Sequence, residues 1–370
     1  MKRSQQQTIL DDLNRKMVFL VGPRQVGKTW LAHKISAVYK NPLYLNYDHY
    51  EDRSIIEKYA WLNDVDLLIF DELHKMADWK NWLKGVFDTR TTQHILVTGS
   101  ARLQTFSQAG DSLAGRYFAH RLLPFSSAEF HRIDEPFDFN VYLKRGGFPE
   151  PLLANTDIEA DRWRRQYTDS LIRTDILDFE RVNDLRSIQL LLDLLRRRVG
   201  SPISYKSLSE DLQLAPNTVK KYIQTLEALF IVFRVTPFSK NIARSILKEP
   251  KLYFYDHGMV VGDNGAILEN AVAVSLYKHV LEREDRTGQE IGLHYLRTKD
   301  GKEVDFCVVE NNVVEKMIEV KAADSKPDKN LIYFRQRYPF AAVQIVGNLQ
   351  REYKVGDVEI RNAELFLKQL

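Results

Sequence analysis

The sequence predicts an α/β protein: a parallel sheet with helices on both faces, then a helical module, then a small second α/β domain. Apolar runs of strand length alternate with helix-period segments through the first third of the chain. A glycine-bearing loop joins the first of these strands to a helix. Near the C-terminus a charged hairpin pattern follows a long amphipathic stretch. At 370 residues the chain has room for two or three domains, and the pattern divides it at 1–150, 151–245 and 246–370.

The first strand is Met17-Val18-Phe19-Leu20-Val21 and the first long helix begins Trp30-Leu31-Ala32-His33. Between them lies Gly22-Pro23-Arg24-Gln25-Val26-Gly27-Lys28-Thr29, which is G-x-x-x-x-G-K-[ST] between a strand and a helix, the setting that gives the motif its meaning. Its glycines let successive backbone N–H groups face phosphate oxygens, and the helix dipole adds to that attraction. Trp30, the next residue, is counted with the loop as a nucleotide-binding candidate. Lys28 is expected to reach the β- and γ-phosphates of ATP, and the Thr29 hydroxyl to hold Mg²⁺.

After a short strand ending in polar residues, Pro42-Leu43-Tyr44-Leu45-Asn46-Tyr47-Asp48, comes Leu67-Leu68-Ile69-Phe70-Asp71-Glu72. Four apolar residues ending in two acids read as a buried parallel strand with carboxylates at the ligand-binding edge of the sheet. Asp71 is expected to complete the Mg²⁺ shell and Glu72 to polarise the attacking water. The strand His94-Ile95-Leu96-Val97-Thr98-Gly99-Ser100 ends in small polar residues, so Ser100 or Thr98 is a candidate for sensing the γ-phosphate. Arg116, in Ser112-Leu113-Ala114-Gly115-Arg116, is a candidate arginine finger for a neighbouring subunit of a homo-oligomer; a surface salt bridge is the alternative.

Composition narrows the setting. The charge is +3, from 53 basic and 50 acidic residues, so any nucleic-acid-binding surface must be local. One cysteine, Cys307, excludes an internal disulfide framework and a multi-cysteine zinc site, and fits a reducing, cytoplasmic setting. The polar start Met1-Lys2-Arg3-Ser4 lacks the core of a signal peptide, and no apolar run is long enough to span a bilayer.

Gly22–Thr29, Leu67–Glu72, Leu96–Ser100 and Ser112–Arg116 together resemble the AAA+-type P-loop ATPases of prokaryotes that carry an uncharacterised C-terminal segment. That resemblance implies a sheet in which another strand separates the strand of the two acids from the strand of the phosphate loop. It leaves the substrate open.

In the middle of the chain, Tyr205–Leu212 reads as a helix, Leu214-Ala215-Pro216 as a break, and Asn217–Glu227 as a second, capped helix. Val219, Tyr222, Ile223 and Leu226 form its apolar face, leaving Thr218, Lys220, Lys221 and Gln224 outside. With the strand Phe230–Val235 this makes a winged helix-turn-helix pattern, with Lys240, Arg244 and Lys248 placed to touch phosphates. Such a module either contacts double-stranded DNA or packs domains together.

Asp263 opens the long C-terminal helix, on which Glu269 shares a stripe with Val272, Ala273, Leu276 and Val280. A carboxylate there is costly unless paired or metal-bound. Glu303–Val309 and Val313–Lys321 alternate as two strands around Asn311-Asn312. A two-residue loop would set Asp305 opposite Ile318. A three-residue loop would pair Asp305 with Glu319, Phe306 with Ile318 and Val304 with Val320, matching apolar with apolar, and is the expected register. Asp305, Glu319 and Lys321 then form D…E-x-K, with Glu269 added from the helix. This resembles the core of the PD-(D/E)XK nuclease superfamily, though Val304 stands where its strict motif has proline. The resemblance implies a second Mg²⁺ site on Glu269, Asp305 and Glu319, with Lys321 positioning water, or else a retained nuclease-like fold without activity.

The expected protein is therefore an Mg²⁺-dependent ATPase joined through a winged helix to a restriction-nuclease-like domain. An ATP-driven signalling switch and a DNA-binding regulator are the alternatives.

Overall fold

The computed structural model describes residues 3–89, 92–99, 113–133, 137–176, 185–239, 249–324 and 326–370. They form two compact units, Met1–Leu123 and Pro124–Leu370.

In the first unit the described residues make one parallel sheet. Its strands are β1 (Met17–Val21), β2 (Pro42–Asn46), β3 (Leu67–Asp71), β4 (His94–Gly99) and β5 (Tyr117–Arg121), in the order β2-β3-β4-β1-β5. β4 lies between the phosphate-loop strand β1 and the acid-tipped strand β3, as the family resemblance implies. All of β1 and β3 is buried, because helices cover both faces of the sheet. One core, with Phe19, Phe70, Trp79 and Leu83, fills one face; the other, with Val18, Leu20, Leu31, Ile35 and Ile69, fills the opposite face. Alternation along β1 sends Val18 and Leu20 one way and Met17, Phe19 and Val21 the other. The parallel registers Val21↔Gly99 and Asp71↔Thr98 bring the C-terminal ends of β1, β3 and β4 to one edge.

The unit ends at Leu123, not near 150 as the sequence pattern suggests, because β5 pairs with β1 and Pro124 follows at once. The described strands on either side of 245 share one sheet. β6 (Val232–Pro237) pairs with β7 (Lys251–Phe254), and Thr236 pairs with His294 of β8 (Ile291–Arg297), so the middle strands belong to the C-terminal sheet. That sheet continues through β9 (Glu303–Glu310), β10 (Val313–Lys321), β11 (Ala341–Val346), β12 (Tyr353–Val355) and β13 (Val358–Asn362), in the order β12-β13-β11-β10-β9-β8-β6-β7.

Helices Tyr205–Leu212 and Pro216–Ala228 precede β6 and give the expected helix, turn, helix, strand order. Pro216 is not a break outside the second helix but its first residue, a position that tolerates proline because no intrahelical N–H bond is due there. Val219, Tyr222, Ile223 and Leu226 are buried; Asn217, Lys220, Lys221 and Gln224 are exposed along the other face. Lys240, Arg244 and Lys248 lie outside the described residues.

The β9–β10 hairpin carries the expected Phe306↔Ile318 pair, but by a different route. The loop holds only Asn311 and Asn312, both at positive φ (49° and 63°), and Glu310 pairs with Val313. Two left-handed residues suit the right-handed twist of the flanking strands, and asparagine tolerates that conformation. A bulge between Val314 and Lys316 then absorbs Glu315 and shifts the register by one residue.

Candidate nucleotide site and C-terminal acidic cluster

The phosphate loop is built against the strand beside it. A Cβ on Gly22 (φ 155°) would stand 2.1 Å from the Leu122 carbonyl oxygen, so only glycine fits where β1 gives way to the loop. Gly27 (φ 95°) turns the chain into helix Lys28–Ser36 with open space around it. Pro23 and Val26 are buried, and Val26 anchors the loop in the core. Arg24 is half-buried and Gln25 exposed. Trp30 packs on the same core beneath the Lys34 ammonium, 5.4 Å from its ring centre.

Lys28 is buried, and its ammonium donates to the Gly22 and Pro23 carbonyls at 3.0 and 2.6 Å. Burial lowers its pKa to about 8; Glu72 and then Asp71 partly offset this. A cation held so close to neutrality on weak carbonyl acceptors is poised for a stronger anionic partner.

Thr29, exposed at the helix start, donates its hydroxyl hydrogen to Asp71 Oδ2 at 3.1 Å across a gap of 42 residues. The residues expected to hold Mg²⁺ are thus brought together, with oxygen donors of the kind that ion takes. Two further hydroxyls fix the Asp71 carboxylate. Tyr44 of β2 donates to Oδ2 at 2.6 Å, and Thr98 of β4 donates to Oδ1 at 2.6 Å. Tyr44 escaped the sequence reading because it faces Ile69 across the β2–β3 pair and only its long side chain reaches diagonally to Asp71. Thr98 is the described β4 residue at the acids; Ser100 lies outside the described residues.

Glu72 takes a left-handed backbone conformation (φ 54°) just past β3, its N–H donating to the Thr98 carbonyl. Its carboxylate lies 3.3 Å from Lys75, which also pairs with Asp48. Burial raises the Glu72 pKa, Lys75 opposes this, and Asp71 adds to it. Arg116 is not brought to this edge. It precedes β5 at the opposite end of the sheet and makes a two-pronged pair with Asp88 at 2.9 and 3.1 Å.

In the second unit the hairpin joins Asp305 to Glu319. The Asp305 N–H donates to Glu319 Oε2 at 3.3 Å, and the Val320 N–H donates to Asp305 Oδ2 at 3.0 Å. Lys321 donates to Glu319 Oε1 at 2.8 Å and also pairs with Asp328 at 3.1 Å. Glu269, on helix Asn264–Thr287, accepts from the Tyr253 hydroxyl at 2.7 Å. Burial first, then Asp305, raises the carboxyl pKa of both Glu269 and Glu319.

One residue here was missing from the sequence reading: Lys251, at the start of β7 and 1% exposed. Its ammonium lies 2.7 Å from Glu303, 3.3 Å from Asp305 and 3.8 Å from Glu269. Burial works against that charge, but Asp305, Glu269 and Glu303 outweigh it and raise the Lys251 pKa. Among the described residues no three acids, histidines or cysteines converge in a metal-holding group. The Lys251 ammonium stands among the acids expected to hold a second Mg²⁺.

The strand order, the phosphate loop and the Thr29–Asp71 contact give the first unit the parallel α/β arrangement of a P-loop fold. Residues 14–131 match the family model described as "AAA domain"; residues 136–264 and 264–365 match two models described as domains of unknown function, DUF8612 and DUF4143. The chain is similar to an uncharacterized protein of Mycobacterium tuberculosis (24% identity, 79% of this chain, 67% of that one). It is also similar to one of Haemophilus influenzae (23%, 87% and 84%). Similar solved structures include the Walker-type ATPase of Pyrococcus abyssi (15% identity, TM-score 0.46, 70% of this chain and 94% of that one). Another is a Signal Transduction ATPase with Numerous Domains from Pyrococcus horikoshii (15%, TM-score 0.29, 77% and 47%). No helix among the described residues is long and apolar enough to cross a membrane.

Proposed function

We propose that the protein binds and hydrolyses ATP with Mg²⁺ at the edge formed by Gly22–Thr29, Asp71 and Glu72. The observation that carries this reading is the Thr29–Asp71 hydrogen bond, which joins the loop's hydroxyl to the acid of β3. The loop N–H groups and Lys28 bind the phosphates, and Thr29 and Asp71 hold the Mg²⁺, which neutralises phosphate charge when bound. Tyr44 and Thr98 keep the Asp71 carboxylate oriented. Glu72, its pKa raised by burial, accepts a proton from the attacking water.

The proposed partner of the second unit is double-stranded DNA, met by the exposed face of Asn217, Lys220, Lys221 and Gln224. Metal-dependent cleavage has the Asp305–Glu319–Lys321 juxtaposition in its favour. A nuclease-like fold serving only for binding is favoured by Lys251, whose ammonium sits among the acids.

The test is steady-state hydrolysis by the full chain and by Glu72→Gln, each with and without DNA. The wild type should turn over and Glu72→Gln should fall roughly 10²- to 10⁴-fold while still binding ATP. An equally active Glu72→Gln refutes the assignment, and hydrolysis indifferent to DNA refutes the partner.

A further inference from the structure

The four acids Glu269, Glu303, Asp305 and Glu319 are each engaged by a proton donor. Glu303 meets Lys251 at 2.7 Å and Arg297 at 3.4 Å. Asp305 meets Lys251 through one oxygen and the Val320 N–H through the other. Glu269 is held by Tyr253, and Glu319 by Lys321 and the Asp305 N–H. Lys251 cannot easily leave. Its side chain is 2% exposed, its ammonium is 5.5 Å from the Tyr295 ring centre, and its backbone bridges to Pro202.

A divalent cation takes carboxylate oxygens at about 2.0–2.6 Å. It would have to bring Asp305 and Glu269 to that distance while a buried ammonium stood among the same oxygens. Two cations sharing the same three half-buried carboxylates repel each other. The lysine is covalently attached and always at hand, whereas the metal must be recruited from solution.

We infer that the Lys251 ammonium occupies the place of a divalent cation among Glu269, Glu303 and Asp305, making this cluster a metal-independent core held by an internal cation. The second unit then keeps the nuclease-like arrangement of Asp305, Glu319 and Lys321 as architecture. Its β7 and β9 strands and the helix carrying Glu269 are tied at one point by a lysine, and its contact with nucleic acid, where made, ends in binding and not in cutting. This rests on the geometry of the second unit alone, so ATP hydrolysis and metal binding here can fail independently.

The test is Mn²⁺ titration of the nucleotide-free full chain, followed by electron paramagnetic resonance of the free ion. Wild type and Asp305→Asn should bind Mn²⁺ alike, because the cluster contributes no site. Lys251→Met should gain one Mn²⁺ site at least about tenfold tighter than any in the wild type, and Lys251→Met/Asp305→Asn should lose it. A wild-type site abolished by Asp305→Asn would overturn the inference, as would a folded Lys251→Met that gains nothing. Should Lys251→Met fail to fold, the comparison of wild type with Asp305→Asn still decides.

Discussion

ATP binding should draw a proton from solution, in an amount set by Lys28. With its pKa lowered to about 8, this lysine is about one quarter neutral at pH 7.5 and about three quarters neutral at pH 8.5. Only the ammonium form complements a phosphate. Two carbonyl acceptors give way to phosphate oxygens on binding, so the bound-state pKa rises toward or above the ordinary lysine value. The sign follows from that difference: protons are taken up wherever the free pKa lies below the pH and the bound pKa above it. Uptake should therefore approach about 0.75 proton per ATP at pH 8.5, about 0.25 at pH 7.5, and nearly none at pH 6.5. Apparent affinity should fall by up to about tenfold per pH unit above pH 8. Calorimetric titration with Mg²⁺-ATP in two buffers of different ionisation enthalpy, at each pH, gives the proton count directly. Equal counts at pH 7.5 and 8.5, or proton release at pH 8.5, would refute the reasoning.

Two substitutions probe the supports of the site. Thr98→Val removes the buried donor to Asp71 Oδ1 while keeping the shape, and should destabilise by roughly 1–3 kcal/mol and raise the Mg²⁺ concentration needed for half-maximal hydrolysis; an unchanged Mg²⁺ requirement would count against that role. Gly22→Ala sets a Cβ against the Leu122 carbonyl and should cost about 1–3 kcal/mol in thermal unfolding, with ATP binding weakened as well; a variant with unaltered unfolding temperature and affinity would contradict the packing described.

The first unit was legible because its signals are local. Strand, loop and helix around Gly22–Thr29 are adjacent in sequence, and an apolar run ending in Asp71-Glu72 marks its own place at a sheet edge. What sequence did not show depends on register between distant segments. Tyr44 and Thr98 meet Asp71 only because β2 and β4 flank β3 in the observed alignment. Lys251 lies 52 residues before Glu303 and reads as an ordinary charged residue at a strand start; sheet order alone brings it inward. The hairpin shows the limit from another side. Apolar matching gave the Phe306–Ile318 pair through an expected three-residue loop; the loop has two residues, and the bulge at Glu315 restores that pairing. Loop length and register are independent once a bulge is allowed. The divisions at 150 and 245 met a similar limit, since composition does not reveal that β6 and β7 complete the C-terminal sheet.

The central claim is that the loop ahead of helix Lys28–Ser36 grips a nucleotide triphosphate through its amides and one ammonium. Equilibrium binding of Mg²⁺-ATP to the wild type and to Lys28→Ala, at pH 7 where the lysine is mostly charged, tests it most directly. Tight binding by the wild type and a loss of about 100-fold or more in the variant is the expected result, corresponding to about 2.7 kcal/mol. Equal affinities in the two proteins would contradict the account.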